Sequence, residues 1–289
     1  MSNLIRAISE NGKVAMAAVD SLNILQKMEE IHKTSSVASA ALGRLLTGAS
    51  LMGSYLKEEE NSLTLRVNGG GPIGTVLAVS DSFGNVRGYA EHPFIELPIR
   101  ADGKLDVGGA VGRDGVLSVV RDLGTGEPYI GQTALVSGEI AEDVTAYYAA
   151  SEQSPCVCAL GVLVEKDLHI AAGGGYLLTL LPGADEEVIK IIENNIQKSK
   201  PITELLREGA SPLDIVETVM DGCRPQVLLE RDVEYRCRCN YERTKGILAS
   251  LGREELEQMR EERTTAEVEC HFCNRRYEYD IDELLREMK

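Results

Sequence analysis

The stretch Cys237-Arg238-Cys239, followed after thirty intervening residues by Cys270-His271-Phe272-Cys273, decides how this chain is divided and what its last part is built around. Each short thiol pair can chelate, and the two pairs together present four soft donors. Zinc takes four such ligands in a tetrahedron, about 2.3 Å from each sulfur. The spacing therefore predicts one zinc ion per chain on Cys237, Cys239, Cys270 and Cys273. The ion would close a long loop in which 240–251 and 254–262 read as small helices. An imidazole could replace one sulfur, but His271 lies between two cysteines already placed to bind and is assigned a place beside the ion or at the surface. Arg236, Arg238, Arg275 and Arg276 flank the cluster. Cations near sulfur favour thiolate over thiol, although each arginine taken singly also reads as an ordinary solvated charge.

Working backwards from the cysteines, Ser211 has the position of an N-cap, with Pro212 at the first helical residue and Asp214 close behind. Leu213, Val216 and Met220 supply the apolar stripe of that helix, and Gly222 ends it. Residues 184–198 are charged and helical in pattern, with Val188, Ile192 and Ile196 four apart. These segments predict a helical connector over 184–230, followed by a small zinc module over 231–289.

The first 183 residues have a different texture. A short polar segment opens the chain and 13–19 reads as extended. Helices are predicted over 21–31 and 35–57, the latter rich in Ala, Leu and Gly. Strand patterns separated by Gly, Asp and Asn turns then dominate at 62–68, 75–80, 86–90, 116–121 and 127–135. A further helix is expected over 141–152. The apolar run 156–164 reads as a buried strand and 169–180 as its partner. Runs of strands with segregated helices give an α+β class, without the regular alternation of a doubly wound fold.

Lys and Arg number 30 against 46 Asp and Glu, a formal charge of -16. Such a surface repels polyanions, so nucleic acid is not an expected partner. In 231–289 acidic residues also outnumber basic ones, which argues against a nucleic-acid-binding zinc ribbon. No secretory leader is read in the first 21 residues, and Arg44 interrupts the apolar stretch 35–56, so a cytoplasmic protein without a membrane anchor is expected. In a reducing compartment seven cysteines serve more often as ligands, reactive thiols or core residues than as structural disulfides.

Three cysteines fall outside the cluster. Cys156 and Cys158 sit two apart in an apolar strand and therefore share a face, which reads as core packing. Cys223 has no partner in sequence. Gly69, Gly71 and Gly74 match a dinucleotide-binding glycine pattern, but an extended stretch follows where a helix should receive the pyrophosphate, so a hairpin turn is the better reading. Gly173 to Gly175 read as a bend or bulge. With His only at 32, 92, 169 and 271, no acid-base triad is evident, and the chain is read as a non-enzyme without catalytic residues.

The C-x-C, thirty-residue spacer and C-x-x-C pattern is similar to that of the 33 kDa chaperonin family, the redox-regulated heat shock holdases. The likeness extends to Ala40–Leu46 (AALGRLL), Gly70–Gly74 (GGPIG) and Val86–Tyr89 (VRGY), and to the order of a large domain, connector and zinc module. That resemblance implies a homodimeric, ATP-independent chaperone, dormant when reduced and zinc-loaded. Oxidation would pair Cys237 with Cys239 and Cys270 with Cys273, release zinc and unfold the C-terminal region, which then binds unfolding client proteins. It also implies reactivation by cellular reductants and transfer of clients to an ATP-driven chaperone system. Two other functions remain open on the residues alone: a zinc-ribbon interaction module, and a thiol-disulfide oxidoreductase using Cys270 and Cys273.

Overall fold

The computed structural model describes residues 2–124 and 126–288; Met1, Thr125 and Lys289 lie outside the described residues. Ser2–Ser9 (β1) and Val14–Asp20 (β2) form a hairpin, followed by helices Leu22–His32 (α1) and Ser36–Gly53 (α2). Five strands come next: Ser62–Gly70 (β3), Val76–Asp81 (β4), Val86–Ala90 (β5), Gly112–Asp122 (β6) and Tyr129–Ala134 (β7), with Val107–Val111 (α3) leading into β6. Ala141–Tyr147 (α4) runs on into a wider helical turn at Tyr148–Glu152, then Cys156–Val164 (β8) pairs with Ile170–Leu180 (β9). Helices Glu186–Lys198 (α5), Ile202–Arg207 (α6) and Pro212–Val219 (α7) precede Pro225–Val233 (β10).

Two five-stranded antiparallel sheets result, in the orders β10-β1-β2-β9-β8 and β5-β4-β3-β6-β7. The α+β class predicted from the strand runs is the observed one. The physical reason for the arrangement lies in α2, which is apolar nearly all round and buried along almost its whole length. A helix without a polar face needs cover on every side, and α2 contacts strands of both sheets. Leu42, Leu45 and Leu46 belong to one core with Leu4, Val19 and Leu177 from the first sheet and Leu63, Leu65 and Val119 from the second. Arg44, the charged interruption in this helix, is paired with Glu139 at 2.5 Å.

The first sheet is covered on both faces. Period-two alternation along β2 sends Ala17 and Val19 toward α2, while Val14, Met16 and Ala18 face a second core. That second core is completed by α5 to α7. Val188, Ile192, Val216 and Met220 of the sequence-read stripe are buried in it together with Ile215 and Val219, Ile196 packs at its margin, and Leu213 is 38% exposed. The N-cap reading at Ser211 holds: Ser211 Oγ accepts the Asp214 N–H at 3.2 Å and the Asp214 carboxylate accepts the Ser211 N–H at 2.8 Å.

Several expectations are corrected. The opening segment is not merely polar: Leu4, Ile5 and Ala7 are buried and β1 is an interior strand, because it has partners on both sides. The helix expected to reach residue 57 ends at Gly53, where α2 runs against the Ser80 side chain with no room for a Cβ. Gly173, Gly174 and Gly175 make no bend; they sit in the regular ladder of β9, where Leu25 and Leu206 approach so closely that a side chain has no space. Residues 225–233, read as the end of the connector to 230 and the start of the zinc module from 231, form strand β10, whose Val227 and Leu228 remain exposed.

Backbone contacts divide the chain into two units, Met1–Arg236 and Cys237–Lys289. In the second, Tyr241–Ala249 (α8) and Arg253–Glu262 (α9) match the two predicted helices, Asn240 capping the first by accepting the Arg243 N–H. The hairpin of Thr265–Glu269 (β11) and Arg276–Asp280 (β12) and the closing helix Ile281–Glu287 (α10) complete it. Its core is small: Leu248, Leu256, Ala266, Tyr279, Ile281, Leu284 and Leu285 are its buried members. No helix among the described residues is long and apolar enough to cross a membrane.

Candidate metal centre

The β11–β12 hairpin carries Cys270 and Cys273 at its tip. Cys270 N–H donates to the Arg275 carbonyl at 3.0 Å, closing the end of the ladder. The Cys273 and Asn274 N–H groups turn back to the Cys270 carbonyl at 3.2 and 2.8 Å, and Asn274 takes the left-handed conformation the tight turn requires. This turn folds the C-x-x-C pair so that both thiols project on the same side. Cys237 and Cys239 are two apart at the start of the same unit, just before the Asn240 cap.

All four sulfurs lie within 4.8 Å of one another. Cys237 Sγ is 3.6 Å from Cys270 Sγ, and Cys239 Sγ is 3.3 Å from Cys273 Sγ. Four ligands about 2.3 Å from a central zinc would be separated by about 3.8 Å. The donor set and its spacing therefore fit a tetrahedral metal centre. The Cys239 N–H reaches Cys237 sulfur and the Arg275 N–H reaches Cys273 sulfur, bonds that favour the thiolate form. His271 is exposed and does not join the group. Of the flanking arginines, Arg276 pairs with Glu269 at 3.0 Å, and Arg236 lies 3.7 Å from Glu234, so these two charges are met by carboxylates. Arg275 instead interacts with Tyr277 and with the sulfurs of Cys239 and Cys273.

Burial pushes the Cys237 thiol up to about 11 and raises Cys273 as well. Cys239 goes the other way: against the upward pull of its burial, the Tyr277 hydroxyl, 3.2 Å away, and the Cys273 thiol hold it down to about 7. Tyr277 is raised, chiefly by the same contact. Sequence reasoning missed Tyr277. Its signal was the alternation of Tyr277 and Tyr279 along β12, legible only once that strand is recognised.

The remaining cysteines stand apart from the cluster. Cys156 and Cys158 pack on the main core while Val157 between them faces the other side of the sheet, as the shared-face reading requires. Burial pushes Cys156 up to about 12 and Cys158 higher still. Cys223 is buried in the second core and is also raised by burial. The glycine pattern at 69–74 turns between antiparallel β3 and β4, with no helix to receive a phosphate.

A pH dependence follows from these buried acids. Burial also raises Tyr55 and Tyr176, each to about 12. Folded, these groups and Cys156 stay protonated beyond the pH, near 9 to 10, at which unfolded Cys and Tyr ionise. Their contribution is constant below that range. Above about 9 the unfolded chain binds fewer protons, so stability of the first unit falls as pH rises. Urea midpoints of the first unit measured at pH 8 and pH 10.5 will show a drop; equal midpoints would contradict the burial of these groups.

A family model described as "Hsp33 protein" matches residues 2–280. The chain is 46% identical over 286 residues to a protein of Clostridioides difficile named "33 kDa chaperonin", covering 99% of this chain and 98% of that one. A protein of the same name from Alkaliphilus metalliredigens is 42% identical, with 98% and 97% covered. Among solved structures, the 33 kDa chaperonin (heat shock protein 33 homolog) of Thermotoga maritima superposes with a TM-score of 0.89 at 38% identity, over 98% of this chain and 97% of the other.

Proposed function

Because this chain belongs to the Hsp33 family, we propose that it is an ATP-independent chaperone, a holdase that is silent while reduced and zinc-bound and is switched on by oxidation. The observation that carries this reading is the convergence of four sulfurs within 4.8 Å in a unit whose own apolar core is so small. A zinc ion held by Cys237, Cys239, Cys270 and Cys273 would supply the cross-link that this core lacks, structural zinc being worth about 10 to 16 kcal/mol of apparent folding free energy.

The four thiols are also the sensor. When a pair meets peroxide, two thiols lose two electrons and two protons and form one S–S bond, while one peroxide becomes two waters; two equivalents oxidise all four. Disulfide sulfur carries no charge and no longer competes for a cation. The pairing carried by the family resemblance is Cys237 with Cys239 and Cys270 with Cys273. In this reading 231–289 is the sensing module, 184–230 the connector that loosens with it, and 1–183 the domain that persists and dimerises. The protein works in the reducing cytoplasm, is returned to rest by cellular reductants and passes clients to an ATP-driven chaperone system.

Loosening the connector would expose the apolar side of α5 and α7, the client surface we assign. Ile196 and Leu213 are its least buried members, so their joint replacement by Ser disturbs the fold least. The double variant should bind zinc normally yet suppress client aggregation severalfold less well after oxidation; undiminished suppression rejects the assignment.

The whole proposal is tested on one sample. Zinc content, free thiols and suppression of a thermally aggregating client are measured before peroxide, after peroxide and after reduction. Expected are one zinc per chain at the start, its loss with four thiols, the onset of suppression, and reversal of all three. Zinc release without any protection, under every oxidant and temperature tried, rejects the chaperone switch. Catalytic turnover of a dithiol substrate would instead favour the oxidoreductase, and salt-sensitive nucleic-acid binding the zinc ribbon.

A further inference from the structure

The hydroxyls of β12 tie the hairpin to the chain that carries the first cysteine pair. Tyr277 and Tyr279 are two apart and so share a face of the strand. Tyr279 Oη donates to the Tyr241 carbonyl at 2.8 Å and contacts the Thr244 hydroxyl, fastening β12 to α8. Tyr277 does the equivalent one step nearer the sulfurs: its Oη lies 3.2 Å from Cys239 Sγ. Arg275, at the end of the same turn, interacts electrostatically with the Tyr277 phenol oxygen. A metal-bound thiolate carries no proton, so in that contact the Tyr277 hydroxyl is the group that can donate.

We propose that Tyr277 is a positioning residue for Cys239, its hydroxyl orienting that sulfur toward the metal and thereby setting how tightly the centre keeps it. The inference rests on the metal-centre reading above and deepens it. Hydrogen bonds to a ligand atom fix its orientation and commonly change metal affinity 10- to 100-fold when removed. The bond is also one that oxidation destroys, because disulfide sulfur is a far poorer acceptor than a thiolate. Loss of the thiolate thus releases both the metal and the β12 contact at once, which couples the hairpin to the state of Cys239.

The ring of Tyr277 packs at the edge of the small core, so Tyr277→Phe keeps the packing and removes only the hydroxyl. Full-length wild type and variant, reduced, are titrated with zinc against a chromophoric chelator, and each is loaded with cobalt to record the sulfur-to-metal charge-transfer band. Expected for Tyr277→Phe are zinc affinity about 10- to 100-fold lower, faster transfer to the chelator, and a shifted cobalt band. Tyr279→Phe is the control for a merely structural role: it lowers the melting temperature of the unit but leaves the cobalt band where it was. Wild type that takes up no zinc or cobalt sinks the metal-centre reading and this inference with it. Wild type that binds both, with Tyr277→Phe equal to it in affinity and band position, overturns this inference alone.

Discussion

Removing the metal from the reduced protein with a strong chelator will unfold 237–289, loosen the 184–230 connector and leave the main core of 2–183 folded. The apolar side chains buried in the tail form a single small cluster around Tyr279, Leu256 and Leu284. A unit of this size rarely gathers more than about 3 to 5 kcal/mol from its core, less than the about 10 to 16 kcal/mol that structural zinc contributes. Without a cation, four sulfurs held within 4.8 Å also lose their reason to converge. The main core has no such dependence, since α2 and strands of two sheets bury it. Hydrogen exchange should therefore show α8 to α10 and the β11–β12 hairpin losing protection on chelation, while the amides of β1, β2, β3 and β9 keep theirs. Cys239→Ser should reproduce the tail's exchange pattern without chelator. A metal-free tail that stays fully protected would mean that its side chains alone hold it, and the switch would have no mechanical basis.

Gly112→Ala will destabilise the first unit by about 4 kcal/mol, at the upper end of single substitutions. Two effects add. Gly112 has φ +82 and ψ 175, a conformation that is essentially glycine's alone and costs about 1 to 3 kcal/mol for other residues. A Cβ there would also stand 2.1 Å from the Gly69 carbonyl oxygen and 2.5 Å from the Gly71 nitrogen, both backbone atoms that cannot rotate away. The ladder between β3 and β6 is already irregular at this point, with Gly112 facing both Gly69 and Gly70. Gly12 provides the comparison: its φ is +67, but a Cβ would meet nothing within 4 Å. Gly12→Ala should therefore cost only about 1 to 2 kcal/mol, the conformational part. Urea denaturation of both variants separates the terms; equal losses would show that backbone crowding at 69–71 contributes nothing.

These two predictions divide between what could be read along the chain and what could not. The cysteine spacing was legible because chelation by a short thiol pair is a property of a few adjacent residues. The helix at Pro212–Val219 was legible for the same reason, its capping box lying within Ser211 and Asp214. Strands such as Cys156–Val164 showed as apolar runs. Pro225–Val233 did not, because as an edge strand it leaves Val227 and Leu228 in solvent and so lacks a clean alternation. Ser2–Ser9 was missed since its hydrogen-bond partners are β2 and a strand more than two hundred residues away. The apolar stripe of α5 and α7 was visible as a pattern, but the same pattern suits any covering surface, and only the packed chain puts it on the first sheet.

By itself, then, the order of residues determined the α+β character, the helices that carry their own caps, and the four thiols that can share an ion, because each of these depends on neighbours within a few positions. Which strands pair, why 69–71 and 112 must be glycine-close, and that the Tyr277 hydroxyl meets the Cys239 sulfur were decided only when distant segments met. Pairwise contacts of this kind have no local period to betray them; they exist only between two stretches, and neither stretch names the other.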